Sequence, residues 1–295
     1  MLPDRFTPAF LRQVELLRIR ARRSFLGTKQ GGHVSLRKGH GIEFSDYRKY
    51  ELGDNPRHID WGVFGRSDKL FVKRFHEEED LSVLLVLDAS TSMTNDQNID
   101  KWNTCRDLGL ALSYTALMEQ DTISCSVPGA FHKGGFSGAK AIHSLARDLS
   151  NPQVSKNHSF SKEMHIAAAK IRTPGKAIVI SDFLMELAEI ERAFNILRSK
   201  NLDIAAIQII SDGDKEPYQK LDFGTFIDSE TDEVVNVSLD PENRALLKEL
   251  FQEHNQKLQS YFLGSQIQYT SINTQEDLLQ FIINNLTLLG LLKRN

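Results

Sequence analysis

Cysteine is scarce in this 295-residue chain. The two present, Cys105 and Cys125, form no CxxC pair and have no histidine at ligand spacing, so a disulfide framework and a structural zinc site are both unsupported. Cys105 lies in the helical pattern "WNTCRDLGLALSYTAL" and Cys125 in the strand-like "TISCSV", where a buried small apolar residue is the expected reading of each. A reducing compartment fits. Long apolar runs are also missing: "FIINNLTLLGLL" spans only about a dozen residues, interrupted by Asn, and is too short for a bilayer. "MLPDRFTPAFLRQVELL" lacks the long apolar run of a signal peptide. The expectation is a cytoplasmic protein without a membrane span, although membrane-associated partners are compatible with it.

Several catalytic signatures are absent as well. Without a Walker A phosphate loop the protein should not hydrolyse ATP itself. "GGFSG" places Gly135 two before Ser137 but Gly138 immediately after it, so the Gly-x-Ser-x-Gly register of a serine hydrolase fails. "FHEEED" lacks the second His of a zinc-protease helix, and His132, His158 and His165 are dispersed and read as ordinary polar residues. There is no fixed-period repeat, low-complexity tract or Pro/Ser-rich linker. With 40% hydrophobic and 25% charged residues, disorder is not a leading reading, and the chain is long enough to bury a full core.

The net charge of -3 argues against nucleic acid as an obligatory partner, but it hides an asymmetry. Residues 1–76 hold 16 Lys+Arg against 8 Asp+Glu, whereas the remainder holds 20 against 31. The stretch "LLRIRARRSF" is either the basic solvent face of a helix or a docking surface for an acidic partner.

From residue 82 onward, apolar strand patterns alternate with amphipathic helix patterns. "SVLLVLD", "TISCSVPG", "KAIVISD", "LDIAAIQIIS" and "SQIQYTSIN" read as strands, and "FGTFIDSETDEVVNVSLD" as a hairpin with its turn near "SETD". Helices are expected over "WNTCRDLGLALSYTALMEQ", "AKAIHSLARDL", "SKEMHIAAAKI", "ELAEIERAFNILRSK", "PENRALLKELFQEHNQKLQSYF" and the closing "EDLLQFIINNLTLLGLL". Strands that are apolar on both faces need cover on both sides, which alternating helices supply. The expected fold class is α/β, a doubly wound, mostly parallel sheet over residues 82–295. Residues 1–81 break this rhythm: one helix over about 8–24, then a Gly- and turn-rich stretch in which "LFVKRFHEEE" alternates like a strand. They read as an N-terminal helix and β-rich extension packed on the core.

In a doubly wound sheet, ligands collect beyond the carboxyl ends of the strands where strand order reverses. Asp88 ends the most apolar strand, and the spacing Asp88, Ser90, Ser92 turns three oxygen-bearing side chains toward one point. That is a hard-oxygen arrangement suited to Mg²⁺ or a similar divalent ion. Asp182 ends a second apolar strand. Singly, each feature has a plain alternative: Thr91 or Ser92 could cap the segment that follows.

"DASTSM" followed by "VISD" resembles the metal-ion-dependent adhesion site of von Willebrand factor type A domains, a Rossmann-type fold, over about residues 82–290. That resemblance implies Asp88, Ser90 and Ser92 as ligands, with Asp182 acting directly or through water. The pattern also expects a Thr on a later loop. Here that region reads "NHSFSKEMHIAAAKI", so Ser161 and then Ser159 are the candidates, and the expected affinity for Mg²⁺, Mn²⁺ or Ca²⁺ is low. Upstream, "GIEFSDYRKYELGDNPRHIDWGVFGRSDKLFVKRFHEEEDLSVLLVLDASTSM" closely resembles the bacterial family catalogued as domain of unknown function fifty-eight. The match is carried by Glu43, Phe44, Arg48, Tyr50, Gly53, Asp54, Arg57 to Trp61, and Arg66. Trp61 and Phe64 are expected to pack, Gly53 and Pro56 to form a turn, and the arginines to pair with Asp46, Asp54 and Asp60.

Members of that family are typically encoded beside MoxR-type AAA+ ATPases. The resemblance implies a non-enzymatic, accessory module that works with such an ATPase on an unknown client protein. Neutral hydroxyls with one or two carboxylates leave a divalent ion electrophilic, so a partner's Asp or Glu can replace one of its waters. The rival is a metal-dependent, phosphatase-like hydrolase on the same sheet. A haloacid-dehalogenase-like enzyme needs a second carboxylate two positions after the first, and Ser90 occupies that place.

Overall fold

Every residue from Val83 to Leu87 is apolar and buried, so the strand they form needs a helical layer on each face. The computed structural model describes residues 2–21, 43–54, 56–76, 81–94, 99–155, 159–171, 175–215, 223–227, 234–238 and 241–294. They divide into two units, Met1–Ser24 with Leu81–Asn295, and Phe25–Asp80.

The first unit opens with α1 (Pro8–Val14) and β1 (Leu17–Ile19). The second contains β2 (Glu43–Lys49), a 3-10 turn (Pro56–His58), α2 (Trp61–Ser67) and β3 (Phe71–His76). The first then resumes with β4 (Ser82–Leu87), α3 (Thr91–Thr94), α4 (Ile99–Met118), β5 (Thr122–Val127), β6 (Phe131–Phe136), α5 (Ala141–Leu149) and α6 (Phe160–Ala168). β7 (Gly175–Ser181), α7 (Leu187–Ser199), β8 (Asp203–Ile210), α8 (Asp212–Lys215), β9 (Phe223–Ile227), β10 (Val234–Ser238) and α9 (Pro241–Gly264) follow. The chain closes with β11 (Gln268–Asn273), α10 (Leu278–Gln280), a π-type turn (Phe281–Asn285), α11 (Leu286–Leu288) and β12 (Leu292–Arg294).

Six strands form one sheet in the order β11-β8-β7-β4-β5-β6, all parallel except β6, which runs antiparallel to β5. β4 is central and pairs with both β5 and β7. Its alternate side chains feed two cores. Val83, Leu85 and Leu87 join Phe10 of α1, Leu108 of α4, Leu145 of α5 and Phe281, while Leu84 and Val86 join Met164 of α6, Phe194 of α7 and Phe262 of α9. Each such fully buried side chain contributes about 1.5–3 kcal/mol. At Gly109 on α4 a Cβ would lie 2.8 and 2.9 Å from the two methyl carbons of Leu87, so glycine lets this helix approach β4 closely.

Three details differ from the sequence-based expectation. The helix predicted over about 8–24 ends at Val14, and Leu17 and Ile19 turn inward in β1, which pairs antiparallel with β12. Alternating burial in "LRI" is a strand period, and α1 has its own start: Pro8 at the first helical position and Thr7 Oγ1 accepting the Phe10 N–H. The same pairing makes a strand of Leu292–Arg294, the first of which ended the predicted closing helix. β6, "FHKGGF", has too little apolar character to announce itself because it is an edge strand with three exposed residues. β3 is a strand, as its alternation suggests, and it pairs antiparallel with β2 in the second unit.

Within that second unit Asp60 caps α2 by accepting the Gly62 and Val63 N–H groups, and its other oxygen accepts the Tyr47 hydroxyl. Arg48 pairs with Asp54 at 2.6 Å, one of the predicted ion pairs; Asp46's side chain lies outside the described residues. Trp61, predicted to pack, is 61% exposed and touches Phe64 edge-on, because the first position of this short helix faces outward.

Candidate functional site

The winding of the sheet reverses between β4 and β7, so the segments leaving their carboxyl ends diverge and open a crevice. Asp88 follows β4 and Asp182 follows β7. Both carboxylates are buried, at 1% and 2% exposure. Asp88 Oδ1 accepts the Ser90 N–H at 2.8 Å, a tight Asx turn, and Oδ2 accepts the Ser181 hydroxyl at 2.6 Å. The turn brings Ser90 Oγ within 3.1 Å of Ser92 Oγ. Asp88 is therefore bonded to the Ser90 backbone, the Ser90 hydroxyl meets that of Ser92, and Ser181 ties Asp88 to the strand end that carries Asp182.

The loop after β7 is held from several sides. Asp182 Oδ1 accepts the Leu184 N–H at 3.2 Å, Gln208 Nε2 donates to the Asp182 carbonyl at 2.9 Å, and His254 Nε2 lies 2.7 Å from the Phe183 carbonyl. Phe183 itself sits at φ 52°, a left-handed conformation that costs a non-glycine residue on the order of 1–3 kcal/mol. Its ring, packed against Phe194 and Phe262, is what retains it there.

Asp182 Oδ2 meets an internal cation. The Lys101 ammonium, on the first turn of α4 and only 1% exposed, donates to Asp182 Oδ2 at 3.1 Å and to Asp214 Oδ1 at 2.7 Å. Asp214 Oδ2 in turn accepts the Ser211 N–H and hydroxyl. Burial pushes the Asp182 carboxyl up to about 6, with Lys101 opposing the shift and the Asp88 charge adding to it. Beneath the strand ends, Cys105 donates weakly to the Ile180 carbonyl, and burial raises its thiol well above the usual range. Neither it nor the buried Cys125, also raised by burial, has the character of a nucleophile.

Beside Ser90 a cavity of about 410 Å³ opens, lined by Thr91, Thr94, Asn103 and Arg106 and by the segment after α5 up to Ser155. Polar and apolar side chains share its wall, and the Arg106 guanidinium on it is paired with Asp107 at 2.9 Å.

The family described as "Protein of unknown function DUF58" matches residues 46–257, well over half of the chain. The chain belongs to the DUF58 family. Relatives of this DUF58 protein include the uncharacterized protein Mb1516 of Mycobacterium bovis and the uncharacterized protein Rv1480 of Mycobacterium tuberculosis. Each is 24% identical over 299 residues, covering 94% of this chain and 88% of the relative. Among solved structures it is similar to an aerotolerance-related membrane protein from Bacteroides fragilis (TM-score 0.42, 15% identity, 70% of this chain and 97% of that one). A second is the conserved hypothetical protein BatB from Bacteroides thetaiotaomicron (TM-score 0.35, 13% identity, 71% and 98%). Among the described residues of this DUF58 protein no helix is long and apolar enough to cross a membrane.

The remaining predicted ligands of the DUF58 chain are engaged elsewhere. Ser159 caps α6, its hydroxyl lies 3.1 Å from that of Ser161, and it donates to Glu189 Oε1, which also accepts the Ser161 N–H. Burial works to raise the Glu189 carboxyl, but these hydrogen bonds and Arg192 hold it down at about 2. Among the described residues no group of three or more His, Cys, Asp or Glu is placed to hold a metal ion. An ion at the Asp88 edge would rest on hydroxyls as well as carboxylates. The donor chemistry fits a hard divalent ion: Asp88, Asp182 and Asp214 against Lys101 leave a formal charge of -2.

Sequence reasoning missed Lys101, Ser181 and Asp214. One signal was available for Lys101: it is in register with Cys105, Leu108 and Leu112 on α4, a lysine on an otherwise buried stripe. His132 also exceeds its ordinary-polar reading. Its Nδ1 lies 2.6 Å from Ser126 Oγ and its Nε2 2.7 Å from Glu163 Oε2, a Ser-His-Glu chain in which the two ring nitrogens are exchanged relative to a hydrolase triad. Ser126 is 1% exposed inside β5, however, so no substrate reaches it, and the three residues fasten β5, β6 and α6 together. His158 lies outside the described residues.

Proposed function

We propose that this DUF58 protein is a non-enzymatic protein-interaction module that docks an acidic side chain of a partner at the Asp88 edge. The observation that carries the proposal is the linked set of Asp88, Ser90 and Ser92 at the point of strand reversal, next to a cavity with Arg106 on its wall. The strand order supports a doubly wound, Rossmann-type sheet of the von Willebrand factor A kind, where such an edge is used for binding. A divalent ion, Mg²⁺ or Mn²⁺ in the first instance, would be held by Asp88, Ser90 and Ser92, with Asp182 behind them, and supplies an open position for the partner's carboxylate. Ser181 fixes the Asp88 carboxylate, Gln208 and His254 fix the Asp182 loop, and the cavity accommodates the side chain that approaches. The family resemblance supports a MoxR-type AAA+ ATPase as the functional companion, acting with this module on a client protein in assembly or maturation in the cytoplasm.

Calorimetric titration of Mg²⁺ and Mn²⁺ into wild type and Asp88→Ala, with and without the MoxR-type ATPase, tests this. Ion binding by wild type alone, with ATPase association that requires the ion, is the expected result. Equal association of both proteins without any ion would overturn the ion bridge. Turnover of phosphate esters that disappears in Asp88→Ala would favour the hydrolase instead.

A further inference from the structure

We infer that the Lys101 ammonium is a resident cation of this edge that competes with a divalent ion for Asp182 and is retained by Asp214 when it yields. The inference rests on the divalent-ion reading above and deepens it. An ammonium is among the costliest groups to bury, and the first turn of a helix is an unfavourable place for positive charge. Lys101 is nonetheless almost wholly enclosed on the first turn of α4, and what retains it is a pair of carboxylates, Asp182 just after β7 and Asp214 on α8. It sits unequally between them, 2.7 Å from Asp214 and 3.1 Å from Asp182. Losing Asp182 to an incoming ion therefore leaves its shorter contact intact, and the charge does not have to find its way to solvent.

Two consequences follow from charge and geometry. The ion must displace an ammonium, which lowers its apparent affinity even though the donor atoms suit it. Occupancy is also reported to Asp214, whose other oxygen holds the Ser211 N–H and hydroxyl at the start of α8. Ion state at the β4 and β7 ends is thus coupled to the segment that leaves β8.

The test is Mn²⁺ binding to the full chain, followed by calorimetry and by the Mn²⁺ spin-resonance signal, in wild type, Lys101→Met, Asp214→Asn and the double variant. Lys101→Met removes the competitor, and affinity should rise about tenfold or more, equivalent to about 1.4 kcal/mol. Asp214→Asn leaves the ammonium to Asp182 alone, and affinity should fall. The double variant has the same formal charge as wild type but no competitor, and should again bind more tightly; it also avoids leaving Asp214 without a counter-charge should Lys101→Met fail to fold. Equal affinities in all four folded proteins would overturn the competition and leave the divalent-ion reading standing. Binding by none of them, with native circular dichroism, would remove that reading and this inference with it.

Discussion

Glu189 shows how one side chain can serve a helix to which it does not belong. Its carboxylate on α7 accepts the Ser161 N–H at the start of α6, one of the donors that a helix leaves without an internal partner. Held at about 2 in the folded protein against an ordinary 4.5, it adds stability that is present above the higher value and lost as pH falls through the lower one. Glu189→Gln should therefore flatten the acid-side fall in stability between about pH 4.5 and about 2, measured by denaturant melts at closely spaced pH. An unchanged slope would mean that the contact is absent in solution. At the same scale, Ser159 illustrates a hydroxyl's ambiguity: the side chain that suits an ion also suits a cap, and here it caps α6.

At the scale of elements, α4 is locked onto β4 by the absence of a side chain at Gly109. Gly109→Ala would press a Cβ against the methyl groups of Leu87 in a filled core, and the expected cost is about 1–3 kcal/mol. The midpoint of denaturant unfolding should drop with no change in its slope. Away from the docking edge, Lys176 on β7 is fully buried, 2.7 Å from Asp203 on β8 and 2.7 Å from Gln268 on β11. One group thus links three neighbouring strands. Lys176→Met leaves a carboxylate without its ion-pair partner and should cost about 3–5 kcal/mol. Replacing both Lys176 and Asp203 by apolar residues should cost much less, and additive losses in that double-mutant cycle would show that the two do not interact.

For the whole molecule, the first and last segments of the chain close the same core. Phe6, Phe10, Val14, Leu17 and Ile19 are buried in the cluster that contains Leu291 and Leu292, and β1 pairs with β12. A chain lacking residues 1–24 should lose cooperative unfolding and bind a hydrophobic dye, whereas retention of a sharp melt would show these contacts to be dispensable. The expected boundary at residue 81 thus runs differently from the compact units, since Met1–Ser24 clusters with the sheet.

Local chemistry made much of this protein legible from the sequence. Uninterrupted apolar strands such as Val83–Leu87 demand two covering layers, and that requirement is visible residue by residue. The turn at Asp88, Ser90 and Ser92 is equally local, because a carboxylate two positions before an N–H that the sheet leaves free closes on it as an Asx turn. What only the tertiary structure decided is long-range. β1 and β12 are 3 residues each, too short to be recognised until the two ends of the chain meet. β6 is an edge strand whose pairing, not its composition, defines it. Lys101 and Asp182 are 81 positions apart and Lys101 and Asp214 113, so no spacing rule connects them. Their meeting depends on where α4, β7 and α8 are carried by the sheet, and it is there that a lysine unremarkable in sequence becomes a buried cation at the proposed docking edge.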